Sequence, residues 1–129
     1  MQANKALSSY RIEQAQECLD TAKLCLEAEK YKTAANRSYY CVFHAIRAIL
    51  ALDGMDFKKH RSVINYFRVN YIKEGTFDKK LSIILRDLFE IRNSCDYNDY
   101  YVVSKKDVEC QVAQAEHFLN EINKHINSR

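Results

Sequence analysis

The sequence predicts an all-α protein, and two observations carry that prediction. The 129 residues include no proline and only two glycines, Gly54 and Gly75, so very little interrupts helix formation. Apolar residues also recur at three- and four-residue steps along most of the chain, which is the spacing of one helix face. A chain of this length buries about two-thirds of its unfolded surface without disulfide bonds or metals. We therefore expect one domain covering residues 1–129.

The first two predicted helices are long. One runs from about Ser8 or Ser9 to Glu29, and its apolar stripe consists of Ile12, Ala15, Leu19, Ala22 and Leu26. The next begins near Thr33 and ends before Gly54, which is a helix-stop signal. Its inward residues are Ala35, Tyr39, Val42, Phe43, Ile46, Ile49 and Leu50.

Three further helices follow from the same spacing. A short third helix is predicted from about Arg61 to Lys73, a fourth from just after Asp78 to about Cys95, and a fifth over Lys105–Asn127. Gly75 marks the end of the third helix. Four long amphipathic helices with short connections bury their apolar faces most simply as an up-down four-helix bundle. We expect the short third helix to pack across one end of that bundle.

The cysteines and the hydropathy pattern exclude several classes of protein. The five cysteines are odd in number and include no C-x-x-C pair, so we interpret them as reduced thiols. We expect no metal site and no cofactor. The first residues lack the apolar core of a signal peptide. The sequence also contains no run of eighteen uncharged residues, which is about the length needed to span a membrane. The expected location is the cytoplasm, with no membrane partner.

Positive charge is concentrated in the middle of the chain. The formal net charge is only +3, which by itself does not indicate a nucleic-acid-binding protein. Between Arg37 and Arg68, however, the sequence contains six basic residues and only two acidic ones, Asp53 and Asp56. This basic segment is either an ordinary solvated surface or a surface that faces phosphate.

Arg92 occupies an unusual place in the fourth helix. It lies one turn beyond Leu88, at the edge of a stripe whose other members are apolar. A partly buried guanidinium needs an anion, because an unpaired buried charge costs several kcal/mol. That anion is either a bound phosphate or the carboxylate of Asp96, which lies four residues further on the same face.

A second row of polar residues lies on the second helix. Arg37, Tyr40, His44 and Arg47 recur at three- and four-residue steps beside the apolar face. A cation-rich loop precedes the third helix, whose free N–H groups favour anions. The residues of this loop are Lys58, Lys59, His60 and Arg61. The row and loop together are candidates for phosphate binding, and the alternative is a histidine bonded to a neighbour with arginines in solvent.

The segment that follows Arg92 is rich in tyrosine. Tyr97, Tyr100 and Tyr101 occur within the loop predicted over residues 96–104. Tyrosine stacks, donates and accepts hydrogen bonds, so this loop suits a binding surface. The alternative is a loop that only covers the end of the bundle.

Several of these segments resemble the HEPN (higher eukaryotes and prokaryotes nucleotide-binding) family. The likeness covers roughly residues 9–123 and is carried by Ser38–Leu50, Lys59–Ile64, Arg92-Asn93 and Asp96-Tyr97. It implies a five-helix domain that forms a homodimer through the face with the arginine motif. It also implies one of two activities: metal-independent endoribonuclease, or partner of a small nucleotidyltransferase in a toxin–antitoxin pair.

The resemblance has one departure, in the residue that performs acid–base chemistry. Family ribonucleases carry a polar residue after the arginine and a histidine that follows the arginine after four to six intervening residues. Arg92 and Asn93 match, but the histidine position holds Tyr97, Asn98 or Asp99, giving an Arg-x-x-x-Asp-Tyr motif. Tyrosine has a pKa near 10 and is a poor base at pH 7, because removing its proton at that pH costs about 4 kcal/mol. Asp96 is a base only if its pKa is raised, whereas Arg92 lowers it.

Three functional hypotheses follow. In the first, the protein binds nucleotide or RNA phosphate and acts with a nucleotidyltransferase; the candidate ligands are Arg92, Asn93, Tyr40, His44, Arg47, Lys59, His60 and Arg61. In the second, it is a divergent endoribonuclease whose catalytic candidates are Arg92, Tyr97 and Asp96, with His44 as a substitute for the missing histidine. In the third, the bundle only mediates assembly. If the partner modifies this chain, the candidate acceptor hydroxyls belong to Tyr97, Tyr100 and Tyr101.

Overall fold

The computed structural model describes residues 2–98 and 100–129, and these form five α-helices and one short π-helical segment. The elements are α1 Gln2–Glu27, α2 Tyr31–Leu52, α3 His60–Phe67, the π segment Arg68–Ile72, α4 Lys80–Tyr97 and α5 Lys105–Asn127. No strand occurs within these residues. The predicted all-α class, with four long helices and one short helix, is confirmed. None of the described helices combines the length and apolarity needed to cross a membrane.

Helix α2 is the centre of the bundle. It packs against α1, α3, α4 and α5, and it is therefore apolar around most of its circumference. Thirteen of its residues are buried, including Tyr39, which is 0% exposed. Because so many positions of α2 face the core, the partly exposed side chains of Tyr40, His44 and Arg47 lie together along one edge of the helix.

Two helices are longer than the sequence pattern predicts. Helix α1 begins at Gln2 rather than Ser8 and ends at Glu27, because its first turns contain good helix formers even though they lack an apolar stripe. It stops where Glu29 adopts a left-handed φ of 61°. Helix α4 continues to Tyr97 rather than Cys95, since the side chains of Arg92 and Asp96 meet one turn apart.

The predicted third helix is interrupted at Arg68. The chain is α-helical only to Phe67, and the next five residues form a π-helical turn. In this wider turn both Tyr71 and Ile72 are buried, and the ring of Tyr71 stacks on Phe67 with centroids 5.7 Å apart. The irregular turn thus allows two large side chains to enter the core.

A buried arginine joins α1 to the loop that precedes α3. Arg11 is 6% exposed; its guanidinium donates to the backbone oxygen of Arg47 at 3.1 Å and to Asp56 Oδ2 at 3.2 Å. Arg47 also lies 3.2 Å from the same carboxylate oxygen. Burial of Arg11 is therefore compensated by two acceptors, and the contacts fix the loop that leads to His60.

We predict that Arg11→Ala lowers the free energy of unfolding by about 2 kcal/mol, because the Arg47 carbonyl and Asp56 lose their donor and the side chain leaves a cavity. Urea denaturation followed by circular dichroism measures this change. The matched control is Lys5→Ala on the exposed side of α1, expected to change stability by less than about 0.5 kcal/mol. Equal effects of the two variants would contradict a structural role for the Arg11 contacts.

Candidate functional site

Arg92 lies where α4 passes the polar edge of α2. Its side chain is 17% exposed, and Nη2 donates a hydrogen bond to the hydroxyl of Tyr40 at 3.0 Å. The guanidinium carbon is 5.1 Å from the ring centroid of Tyr39 and 5.5 Å from that of Tyr40, which is the range of cation–π contacts. The arginine is therefore held in one orientation by two consecutive tyrosines of α2.

Asp96 partly offsets the charge of Arg92. Arg92 Nε is 3.0 Å from Asp96 Oδ2, although the geometry is that of an ion pair without an aligned hydrogen bond. The intrahelical pair anticipated from the sequence is thus present. Because the Asp96 side chain is one-third exposed, water screens this pair and its contribution to stability is small.

Six rings form a cluster centred on Tyr39 and Tyr40. Neighbouring centroids are 4.0 to 6.2 Å apart, and the rings belong to Tyr39, Tyr40, Phe43, His44, His60 and Phe89. His60 stacks on Phe43 at 4.0 Å, and its Nδ1 is 3.1 Å from the Tyr39 hydroxyl. His44 contacts the ring of Tyr40. We call Arg37, Tyr40, His44, His60 and Arg92 the Arg92 site.

The ring of Tyr40 links the members of this site. The Arg37 guanidinium carbon lies 5.1 Å from its centroid, so Tyr40 contacts a cation from its own helix and another from α4. His44 and His60 approach the same ring with centroids at 6.1 and 5.9 Å. No direct contact joins His44 to Arg92 among the described residues; Tyr40 lies between them.

Arginines surround both imidazoles. Burial, followed by the charges of Arg47, Arg37 and Arg11, lowers the pKa of His44 to about 4. The pKa of His60 is also lowered, first by burial and then by Arg92 and Arg47. Both side chains are therefore neutral at pH 7. Because each charge acting on them is positive, the potential at the Arg92 site favours an anion.

Three buried polar atoms at or beside the site have no hydrogen-bond partner in the described part of the chain. They are Nδ1 of His44, Nε of Arg47 and Nε of Arg92, the last of which is ion-paired with Asp96. Native proteins pair most of their buried polar groups, so such atoms are places where a water or ligand is expected. Tyr39 differs, because burial raises its pKa to about 12 and keeps its hydroxyl protonated.

The other predicted phosphate ligands are distributed around this centre. Arg47 pairs with Asp56 and lines an open pocket of about 500 Å³ with Lys58 and His60. Lys59 is exposed at the N-cap of α3. Arg61 and Asn93 are not in the ring cluster and line a neighbouring groove between α3 and α4.

The tyrosine-rich segment presents two accessible hydroxyls. Tyr97 is 79% exposed at the end of α4 and Tyr100 is 94% exposed, whereas Tyr101 is half-buried. Tyr100 and Tyr101 line an open groove of about 550 Å³ with Lys30 and Lys32. Asp99 lies outside the described residues.

Sequence reasoning missed two residues that organise the site. Tyr39 was assigned only to the core, yet it bonds to His60 and stacks against Arg92. Arg11 was not singled out, although it interrupts the apolar stripe of the first helix just as Arg92 interrupts that of the fourth. The same signal, a charge within an apolar stripe, identifies both arginines. Among residues 2–98 and 100–129, no group of three histidine, cysteine or acidic side chains could hold a metal.

The fold and this site define a small helical-bundle domain with an arginine-centred polar cluster. A family model described as "HEPN domain" matches residues 8–125. The chain therefore belongs to the HEPN domain family, as the resemblance of its second helix and arginine motif predicted.

Relatives and a solved structure agree with this assignment. The chain is 34% identical to a "UPF0332 protein" of Thermotoga maritima over 98% of its length and 96% of that protein. It is 31% identical to "Putative toxin MJ0605" of Methanocaldococcus jannaschii, over 88% of its length and 84% of the relative. The crystal structure of ST0689, an archaeal HEPN homologue, superposes with a TM-score of 0.65 and 19% identity, over 92% of this chain and 97% of that one.

We predict that His44 makes the fold sensitive to acid. Its folded pKa is about 4 and that of unfolded histidine is about 6.5, so the unfolded chain binds more protons between these values. The His44 contribution to stability is fully present above about pH 6.5 and is lost as the pH falls towards 4. His44→Gln should therefore lose less stability than wild type between about pH 7 and about pH 5 in urea unfolding.

The control for this prediction is His117→Gln, because His117 is exposed on α5. It should keep the wild-type loss of stability between the two pH values. The pKa of His60 and of His125 is lowered in the same direction, so some acid sensitivity remains in both variants. An unchanged pH response in His44→Gln would contradict the neutral, buried state of His44.

Proposed function

We propose that this HEPN-domain protein binds the phosphate of a nucleotide or of single-stranded RNA at the Arg92 site. The observation that carries the proposal is the clustering of Arg37, Arg92 and two neutral imidazoles around Tyr40. Like charges repel one another, so a cluster of this kind is stabilised when an anion enters it. A phosphate supplies that charge and accepts several hydrogen bonds.

Bound phosphate would also change the protonation of the site. Burial and arginine charges lower the pKa of both imidazoles, and a neighbouring phosphate opposes the effect of the arginines. A ring N–H of His44 or His60, which a neutral imidazole also carries, would donate to a phosphate oxygen. The buried, unpartnered Nδ1 of His44 would gain a role in such a complex.

Binding is better supported than RNA cleavage. A metal-independent ribonuclease needs groups whose pKa lies near the working pH, but His44 has a pKa of about 4 and Tyr39 one of about 12. The motif position that carries histidine in family ribonucleases is occupied here by Tyr97 or its neighbours. Asp96 is paired with Arg92, which opposes its use as a base.

Ribonuclease activity remains the second candidate because two relatives are named as candidate toxins. In that mechanism Arg92 stabilises the charge of the phosphorane, and Tyr97 or His44 transfers the proton. A phosphate that raises the pKa of His44 is the condition for this chemistry. The third hypothesis, a bundle that only mediates assembly, predicts neither binding nor cleavage.

The proposal extends to the partners of the domain. The names of the toxin relatives and the resemblance to the branch that acts with nucleotidyltransferases support a role in a toxin–antitoxin-type pair. We further propose a homodimer that forms through the face with the arginine motif. Two copies of that face would bring two Arg92 sites together on one RNA strand.

We predict opposite effects of two substitutions on RNA affinity. Arg92→Gln should weaken binding about tenfold, because a charged hydrogen-bond donor to phosphate is lost. Asp96→Asn should strengthen binding severalfold, because it removes the carboxylate that competes with phosphate for Arg92. Fluorescence anisotropy with a labelled single-stranded RNA of eight nucleotides, 2′-O-methylated to prevent cleavage, measures both effects. Lys5→Gln is the control for loss of an exposed positive charge.

The same variants distinguish the three hypotheses. Unmodified RNA is incubated with each protein in excess chelator, and the ends of any fragments are identified. Cleavage by the wild-type protein that leaves cyclic phosphate and is abolished by Arg92→Gln would establish the ribonuclease. Absence of binding and of cleavage by the wild-type protein would leave the assembly hypothesis.

We predict that a cognate nucleotidyltransferase modifies an exposed tyrosine of this chain. The hydroxyl of Tyr97 or Tyr100 would lose its proton and attack the α-phosphate of a nucleoside triphosphate, releasing pyrophosphate. The tyrosine would then carry the mass and the negative charge of the nucleotidyl group. Intact mass spectrometry of the co-expressed protein should show the addition, and Tyr97→Phe with Tyr100→Phe should remove it. The control is Tyr10→Phe, since Tyr10 is 56% exposed on α1. An unshifted mass of the wild-type protein would exclude the modification.

A further inference from the structure

A groove of about 330 Å³ runs between α3 and α4, beside the Arg92 site. Its floor is apolar and consists of Ile64, Leu85 and Phe89. Phe89 is half-buried, and its ring also packs against Tyr39, with centroids 6.0 Å apart. One aromatic ring thus belongs both to the groove and to the cluster that holds Arg92.

The rim of the groove is strongly basic. Arg61 and Arg68 lie two helical turns apart on one side, and Arg86 lies on the other side. Glu90 is the one carboxylate that lines the groove within the described residues, so three guanidinium groups face a single negative charge. Among the described residues, the ion pair that Arg86 forms is a solvent-exposed one with the neighbouring Asp87, at 3.5 Å. The groove therefore attracts an anionic ligand.

Arg68 provides an independent indication of a ligand. Its Nε is buried and has no hydrogen-bond partner in the described residues. Arg68 is the first residue of the π segment, and irregular turns of this kind are frequent at functional sites. A buried guanidinium nitrogen on the rim of a basic groove is poised to donate to a bound acceptor.

The other lining residues favour a nucleotide over an acidic peptide. Two amides, Asn65 and Asn93, face the groove together with the arginines, and amide side chains pair with the polar edges of bases. The Phe89 ring offers a surface on which a base can stack. An acidic peptide would use the arginines but would have no need of the amides and the aromatic floor.

From these contacts we infer that the groove binds the nucleotide adjacent to the phosphate held by Arg92. Asn93 follows Arg92 directly in α4 and lines the groove, so the two sites are continuous along one strand. The base stacks on Phe89, and its flanking phosphates contact Arg61 and Arg86. This inference rests on the proposed function, because it assigns the path of the same single-stranded RNA.

The test measures binding of the eight-nucleotide 2′-O-methyl RNA by Arg61→Gln with Arg86→Gln, both exposed positions. Loss of two phosphate contacts should reduce the slope of log affinity against log salt by about 1.4 and weaken binding at least tenfold. Phe89→Leu keeps an apolar floor but removes the stacking surface, and it should weaken binding about tenfold without changing the slope. Lys5→Gln with Lys106→Gln is the charge-matched control, since both lysines are exposed and outside the groove.

The possible results separate this inference from the proposed function. If Arg92→Gln weakens binding while the groove variants bind as wild type does, the groove inference is overturned and the Arg92 site stands. If the wild-type protein does not bind the RNA, the proposed function itself fails. Unlabelled octaglutamate is added as a competitor; displacement of the RNA by this peptide, dependent on Arg61 and Arg86, would overturn the nucleotide assignment in favour of an acidic protein segment. Thermal unfolding of each variant verifies that the fold is retained.

Discussion

The burial of α2 on nearly all sides is the constraint on which the rest of the structure depends. Four other helices cover this one helix, so its apolar residues form the common core and several of its polar residues lie along one edge. Tyr40, His44 and Arg47 occupy that edge, and α4 passes it at the point where Arg92 projects. The concentration of polar groups at the site is thus a consequence of how the core is built.

Tyr39 shows how closely the core and the site are connected. It is one of the largest fully buried side chains, yet its ring contacts Arg92 and its hydroxyl pairs with His60. A buried hydroxyl requires a hydrogen-bond partner. For Tyr39 that partner is Nδ1 of the partly exposed His60. Core packing of Tyr39 therefore sets the orientation of His60. A loop residue without a contact to the core would not fix the imidazole in this way.

Helical spacing was sufficient to predict the fold class, the number of helices and the inward-facing residues of α2. It was also sufficient to mark Arg92 as exceptional and to identify Asp96 as its intrahelical partner. It failed at the first turns of α1, where helix propensity acts without an apolar stripe, and at Arg68, where a π turn interrupts the regular period. The π turn depends on how large side chains fill the core. The periodicity of apolar residues within one helix contains no information about that packing.

The composition of the site was harder to predict than its location. His60 and Arg92 are 32 positions apart in the sequence, and their electrostatic coupling depends on the crossing of α2, α3 and α4. The contribution of Arg11 required knowledge that α1 lies beside the loop containing Asp56. Pairwise spacing within one helix contains no information about either arrangement, so the sequence could supply the candidate residues but not their grouping.

The contact between Arg92 and Tyr40 spans 52 positions of the chain, and this separation has a consequence for synthesis. A nascent chain that has emerged only as far as α3 contains the tyrosines and histidines of the site but no Arg92. The cationic cluster is completed only when α4 has left the ribosome and packed against α2. A partly translated polypeptide therefore lacks the full charge pattern, and any effect of the site on cellular RNA begins only after nearly the whole domain has been made.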